Sequence, residues 1–171
     1  MDTPRTDPPY AASEREQLVA YLDYHRETLR LKTAGLTTAQ LQQTLAPSEM
    51  TLGGMMKHCA LNEVSWFAAR FAGGVEGEPW DSVDWQADYD WDWHSAVDDS
   101  PEQIVALWES GVAQARDAIE GADLEALAQK PVRSGDHPNL RWILLHMIEE
   151  YARHNGHADL IRESIDGATG E

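Results

Sequence analysis

The sequence has few of the features that mark secreted, membrane-spanning or nucleic-acid-binding proteins. It contains one cysteine, Cys59, which excludes an internal disulfide framework and fits a reducing compartment. Lysine and arginine together number 13 against 30 aspartates and glutamates, and the net charge of −17 argues against binding to a nucleic acid or an anionic membrane surface. No apolar run approaches the length of a bilayer span, and residues 1–12 lack the apolar segment of a signal peptide. We therefore expect a cytoplasmic protein with no membrane or nucleic-acid partner.

Enough apolar residues are present for one folded domain. The hydrophobic fraction is 42% and seven tryptophans occur, a composition typical of globular chains and not of disordered ones. A chain of 171 residues can bury a substantial core without disulfide bonds or structural metals. We predict a flexible N-terminal arm over residues 1–12, a single domain over residues 13–167 and a short C-terminal tail over residues 168–171.

Apolar periodicity and helix-capping residues predict four long helices. They begin after the capping residues Ser13, Thr51, Ser100 and Asn139 and end near Gly35, Gly73, Gly121 and Ile165. A shorter helical stretch is predicted from Thr37 to Leu45. Tryptophans alternate with aspartates in residues 75–99 without a helical period, which predicts a long crossover whose aromatic side chains pack onto the bundle. The predicted fold is therefore all-α, a four-helix bundle with a long crossover between its second and third helices.

Side chains that can bind a metal are concentrated on the last predicted helix. His146, Glu150 and His154 are spaced by four and therefore lie in one row. His157 follows one turn further on. Eight residues at a rise of about 1.5 Å separate His146 from His154 by about 12 Å, too far for both to reach one ion at about 2 Å. The feasible site joins one neighbouring pair to a ligand from another helix, and the spacing leaves three pairs open: Glu150/His154, His146/Glu150 and His154/His157.

A histidine on the buried face of another helix is the expected outside ligand. His58, in the middle of the apolar second helix, is the first candidate, and His25 on the first helix is the second. The simpler interpretations are a solvated Glu–His ion pair and histidines that only pack in the core. Cys59, next to His58, is expected to be a buried core thiol, because adjacent helix residues diverge by about 100° and do not face each other.

Two segments of the sequence carry a family resemblance. The segment LRWILLHMIEEYARHNGHADLIRE of the last helix and the segment TLGGMMKHCALNEVSWF of the second helix resemble elements of the DinB-like metalloprotein superfamily, in the same order along the chain. They are most similar to its actinobacterial, mycothiol-dependent branch. The resemblance implies a four-helix bundle that holds a divalent metal through one histidine of the second helix and a pair on the last. In this sequence those positions are His58, Glu150 and His154.

The resemblance also implies roles for the neighbouring side chains. His146 is expected to face the metal ligands or the substrate, and His157 is expected to lie outside the ligand set. Apart from the resemblance, His25 on its apolar stripe and Arg153 among the basic residues of the last helix are further candidates for contact with the ligands or the substrate. Zinc is the first metal expected, and nickel, iron or manganese are alternatives because the same ligands accept them. Two imidazoles and one carboxylate leave positions open on the ion, which is typical of a catalytic site.

The implied reaction is the transfer of a thiol to a small electrophile. Mycothiol, a low-molecular-weight thiol, is the implied co-substrate, and its metal-activated thiolate would attack the electrophile in a detoxification or stress role. The maleylpyruvate isomerases of this branch carry an additional C-terminal domain that is absent here, so isomerase activity is not implied. A metal-dependent hydrolase and a non-catalytic metal-binding or stress-response bundle are the alternatives. A homodimer is compatible with the resemblance.

Overall fold

The computed structural model describes residues 5–169. Four residues of the predicted N-terminal arm and two of the predicted tail lie outside this range. Residues 5–169 are helical with connecting loops and form no β-strand. The α-helices are α1 (Glu14–Thr33), α2 (Thr38–Leu41), α3 (Leu52–Glu63), α4 (Trp91–His94), α5 (Pro101–Ala118) and α6 (Leu140–Asp166). A π-helical segment (Val64–Phe71) continues α3, and two 3₁₀ turns cover Trp80–Ser82 and Ser95–Asp98.

The ends of the four long helices agree with the prediction because local side chains determine them. Ser13 and Ser100 each accept a hydrogen bond from the third residue of the helix and complete a capping box. Thr51 and Asn139 accept the corresponding bonds at the starts of α3 and α6. Gly167 ends α6 in the left-handed conformation, with φ at 77°.

Two local predictions need correction. The short helix α2 ends at Leu41, which is buried, and does not continue to Leu45, which is 36% exposed, so a further turn would gain little from burial. The crossover includes α4 and the two 3₁₀ turns, which are too short for a period to be visible in the sequence. Its aromatic side chains pack onto the bundle as expected, with Trp80 only 2% exposed and Trp91 partly buried against the core.

A buried polar network connects the four long helices. The guanidinium of Arg26 on α1 donates two hydrogen bonds, of 2.8 and 2.6 Å, to the carboxylate of Glu63 on α3. The hydroxyl of Tyr151 on α6 donates to the same carboxylate at 2.7 Å, and the indole of Trp108 on α5 donates to that hydroxyl at 2.8 Å. Burial and the charge of Glu63 raise the pKa of Tyr151 well above its usual range, so the phenol remains a donor. These bonds are made in only one relative position of the helices and therefore fix their register.

The close packing of α5 against α3 depends on Gly111. A Cβ atom at this position would lie 3.0 Å from the carbonyl oxygen of Ala60, so glycine allows α5 to approach α3 closely. The bond between Tyr151 on α6 and Glu63 on α3 holds the facing rows of these two helices in one register. No helix within residues 5–169 is long and apolar enough to cross a membrane.

Candidate metal centre

Three side chains meet where α3 faces α6. The Oε2 atom of Glu150 lies 3.8 Å from Nε2 of His58 and 3.5 Å from Nε2 of His154. The three ligand atoms all lie within 4.8 Å of one another. Donors bound tetrahedrally at about 2.1 Å from one ion stand about 3.4 Å apart, so a small contraction would bring these three onto a single ion. The helix geometry therefore clusters the three residues that the family resemblance selects.

The cluster is open to solvent on one side. The side chains of His58 and Glu150 are 21% and 22% exposed, whereas that of His154 is 9% exposed. Burial lowers the pKa of His154 to about 4, and the nearby His58 contributes in the same direction. His154 is therefore a neutral imidazole at physiological pH, which is the form that binds a metal. Within residues 5–169 its Nδ1 atom is buried without a hydrogen-bond partner.

The crossover supplies the partner that orients His58. Nδ1 of His58 lies 2.6 Å from Oδ2 of Asp92, whose side chain is 4% exposed. A carboxylate only accepts hydrogen bonds, so Nδ1 carries the proton, and Nε2, which lies 3.8 Å from the Glu150 carboxylate, carries the lone pair. A histidine that binds a metal usually donates its other N–H to a carboxylate or carbonyl oxygen in this way. The two imidazoles and the carboxylate, with Asp92 orienting His58, thus fit a divalent transition metal.

Two further neighbours shape the surroundings of His58. The Trp93 ring stacks on it with centroids 4.8 Å apart and also lies 5.4 Å from the His154 ring. Gly54 allows the Trp93 ring to lie this close to α3, because a Cβ atom at position 54 would come within 3.0 Å of the ring. The amide nitrogen of Asn62 lies 3.0 Å from Nε2 of His58, so an ion at Nε2 requires Asn62 to release this hydrogen bond.

A second group of ligand atoms shares Glu150. Atoms of His146, Glu149 and Glu150 also lie within 4.8 Å of one another. All three residues come from α6, and Glu149 is an exposed residue whose carboxylate pairs with Arg153 at 2.7 Å. The first group is better enclosed and draws ligands from two helices, so we favour it. The His146/Glu150 pair nevertheless stays geometrically possible.

Of the other predicted site residues, Arg153 pairs with Glu149 of the second group, whereas His25 and His157 belong to neither group. His25 is half-buried on α1, and its carbonyl oxygen accepts a hydrogen bond of 2.9 Å from the Asn155 amide. Nδ1 of His157 bonds to the carbonyl oxygen of Arg153 at 2.9 Å. Among the residues that the structure describes, neither histidine joins a metal-ligand group. A role for His25, His157 or Arg153 toward substrate stays a prediction.

Cys59 faces the core, as expected. It is 1% exposed, and burial, together with the negative charge of Glu63, raises the pKa of its thiol. A thiol in this state is a poor nucleophile, because the thiolate is the reactive form. Cys59 is therefore a core residue and not a candidate nucleophile.

Comparisons with known proteins agree with this description. A family model described as mycothiol-S-transferase matches residues 17–167. Among solved structures, the conserved protein of locus from Enterococcus faecalis aligns with a TM-score of 0.59 at 16% identity, over 92% of this chain and 100% of that chain. At this identity the likeness shows the all-α fold alone. The comparison with curated proteins gives no match.

Proposed function

Since the chain belongs to the mycothiol S-transferase family, a DinB-like metalloprotein family, we propose that it transfers a mycothiol-type thiol to a small electrophile in a divalent-metal-dependent reaction. The observation that carries this proposal is the cluster of His58, Glu150 and His154. Its ligand atoms lie within 4.8 Å of one another on a partly open surface. Two imidazoles and one carboxylate are the ligand set of a catalytic zinc site, and such a site keeps a position for a further ligand.

His58, Glu150 and His154 are the residues that would hold the metal. A bound divalent cation supplies positive charge that stabilises the thiolate form of a nearby thiol at neutral pH. Zinc is the metal that we propose first, and nickel, iron or manganese suit the same ligands. The single carboxylate among the ligands leaves the centre with a net positive charge, which favours an anionic sulfur.

The remaining residues orient the ligands and limit access. Asp92 holds the His58 ring through the bond to Nδ1, so the ring loses little freedom when Nε2 binds a further partner. Trp93 covers the two imidazoles on the crossover side. Both reactants must therefore approach from the solvent-exposed side, where Glu150 lies. In the transfer, the thiolate sulfur forms a bond to the electrophilic carbon, the leaving group departs with its electron pair, and the thiol proton passes to solvent.

Conjugate formation tests the proposal directly. The protein is stripped with a chelator, reloaded with zinc and incubated with mycothiol and an alkylating electrophile, and the thioether is measured by mass spectrometry. We expect a rate above the spontaneous reaction for the zinc-loaded protein and loss of this excess after chelation. The His58→Ala variant should lose it as well, whereas His94→Ala, with a side chain that is 67% exposed, should retain it. Zinc-dependent ester or amide cleavage without added thiol would contradict the proposal and favour a hydrolase.

A further inference from the structure

A wall of aromatic side chains extends from the candidate metal centre along the contact between α3 and α6. It consists of Trp66 on the π-helical segment and of Trp142 and His146 on α6, and we call it the aromatic wall. His146 stacks on Trp142 with centroids 5.1 Å apart and an interplanar angle of 17°. Trp66 lies 4.6 Å from His146 and 5.4 Å from Trp142. The three rings therefore form one continuous surface.

Trp142 of the aromatic wall is far more exposed than the tryptophans of the core. Trp142 is 47% exposed, whereas Trp80 and Trp108 are 2% and 3% exposed. Trp66 and His146 are partly buried beside Trp142, so the exposed apolar surface is contiguous over three rings. A contiguous apolar patch rimmed by polar residues is typical of a ligand-binding surface. Indole and imidazole rings offer flat faces and edges against which a planar ligand stacks.

The aromatic wall is continuous with the metal centre. A ring nitrogen of His146 lies within 4.8 Å of a carboxylate oxygen of Glu150, which belongs to the proposed ligand set. The two residues are one helical turn apart, so the wall begins about 6 Å from Glu150 along the helix axis. A small molecule can therefore contact the wall and present one of its atoms to the metal centre at the same time.

Charges near the aromatic wall favour a neutral ligand. Glu149 and Glu150 lie at the end next to the metal centre, and the nearby Arg153 is already paired with Glu149 at 2.7 Å. Arg70 lies over the Trp66 ring, with its guanidinium carbon 4.5 Å from the ring centroid. Glu149 is paired, Glu150 would be neutralised by the metal that it holds, and Arg70 is stacked on Trp66, so these three groups offer no unpaired counter-charge to an ionic ligand. The net charge of −17 further disfavours an anion.

We propose that the aromatic wall binds the electrophile of the transfer reaction, and that this electrophile is a neutral, planar aromatic or conjugated molecule. The inference rests on the proposed function, because it assigns a second reactant to the same centre. A suitable probe is 4-chloro-7-nitrobenzofurazan. The thiolate sulfur forms a bond to the ring carbon that carries chlorine, the carbon–chlorine bond breaks, chloride leaves, and the thiol proton passes to solvent.

Binding and turnover are measured separately, so that the two proposals can fail independently. The dissociation constant of 4-nitrobenzofurazan, which lacks the leaving group, is measured by ligand-observed NMR titration. Steady-state kinetics with mycothiol compare the chlorinated probe with iodoacetamide, a small aliphatic electrophile, and with 4-chloro-3,5-dinitrobenzoate, a planar anion. The variants are Trp142→Ala, Trp142→Phe and the control Tyr21→Ala, because Tyr21 on α1 is exposed to a similar extent, 49%.

We expect Trp142→Ala to raise both the dissociation constant of the analogue and the KM of the chlorinated probe about three- to tenfold, the range of one aromatic contact. Trp142→Phe should restore most of the affinity, and Tyr21→Ala should change neither value. The KM for iodoacetamide should not respond to any of these changes. Trp142 is 47% exposed, so we expect its replacement to leave the thermal unfolding profile unchanged. This measurement checks that the fold of each variant is intact.

Other results would overturn one proposal or the other. Analogue binding and KM that are unchanged in Trp142→Ala would overturn the role of the aromatic wall, even if conjugation occurs. Preference for the anionic probe over the neutral one would overturn the assignment of a neutral electrophile. Binding that depends on Trp142 without conjugation of any probe would support the aromatic wall as a ligand site and contradict the proposed transferase function.

Discussion

Replacement of Asp92 tests the link between the crossover and the metal centre. Asp92 is 3% exposed, and Oδ2 of its carboxylate accepts a hydrogen bond from Nδ1 of His58, 2.6 Å away. Removing a partner of this kind commonly weakens metal binding tenfold to a hundredfold, which corresponds to about 1.4–2.7 kcal/mol. In Asp92→Asn the amide oxygen can still accept the hydrogen bond but without its negative charge, and charge-assisted bonds are about twice as strong as neutral ones. We therefore expect about a tenfold loss of zinc affinity for Asp92→Asn and a larger one for Asp92→Ala.

Competition with a chromogenic chelator measures these affinities. The matched control is Asp90→Asn, which removes the same charge two residues away from an exposed side chain. This control should bind zinc within about twofold of the parent, because exposed charges are screened by solvent and salt. Equal losses in both variants would mean that overall charge, and not orientation of His58, governs affinity. Unchanged affinity in Asp92→Asn and Asp92→Ala would refute the reasoning.

Three predictions concern the bundle itself. In Glu63→Gln the buried Arg26 loses its buried counter-charge and keeps only the partly exposed Asp23, which lies 2.8 Å away. We expect a loss of about 3 kcal/mol in the free energy of unfolding measured with urea; a loss below about 1 kcal/mol would contradict a structural role for the network. Gly111→Ala should destabilise the protein by about 1–3 kcal/mol, because the added Cβ would press on the carbonyl oxygen of Ala60 on α3. The control Gly156→Ala has open space around the added Cβ and should stabilise α6 by about 0.5–1 kcal/mol. Equal effects of the two substitutions would refute the packing argument. Cys59 should react with a thiol reagent only after unfolding, and rapid labelling of the folded protein would show that its burial is wrong.

The long helices could be predicted from the sequence because their signals are local. A capping serine, a proline in the first turn or a glycine just past the last turn acts within a few residues, and Ser100, Pro101 and Gly167 have these roles in the structure. The row formed by Glu150 and His154 is likewise a property of one helix. Spacing alone did not choose between the neighbouring pairs on α6, and only the family resemblance selected one of them.

The partners of the site residues could not be predicted, because they depend on tertiary contacts. Asp92 belongs to an acidic, aperiodic stretch in which nothing distinguishes a buried aspartate from its exposed neighbours. The pair of Arg26 and Glu63 presents the same problem, since charged residues on helices are usually solvated and their spacing does not show that they face each other. The aromatic wall joins Trp66 to residues of a helix that follows more than 70 residues later, so it appears only after the bundle has assembled.

Metal content is the measurement that tests the central claim most directly. Protein purified without a metal-affinity tag and loaded with zinc is analysed by mass spectrometry for bound metal, in the parent and in His58→Ala, Glu150→Gln, His146→Ala and His157→Ala. We predict about one zinc ion per chain in the parent and in the last two variants, and a large loss in the first two. Retention of zinc in His58→Ala together with its loss in His146→Ala would place the ion at the other group on α6. Absence of zinc from the loaded parent would contradict the metal centre and the function that rests on it.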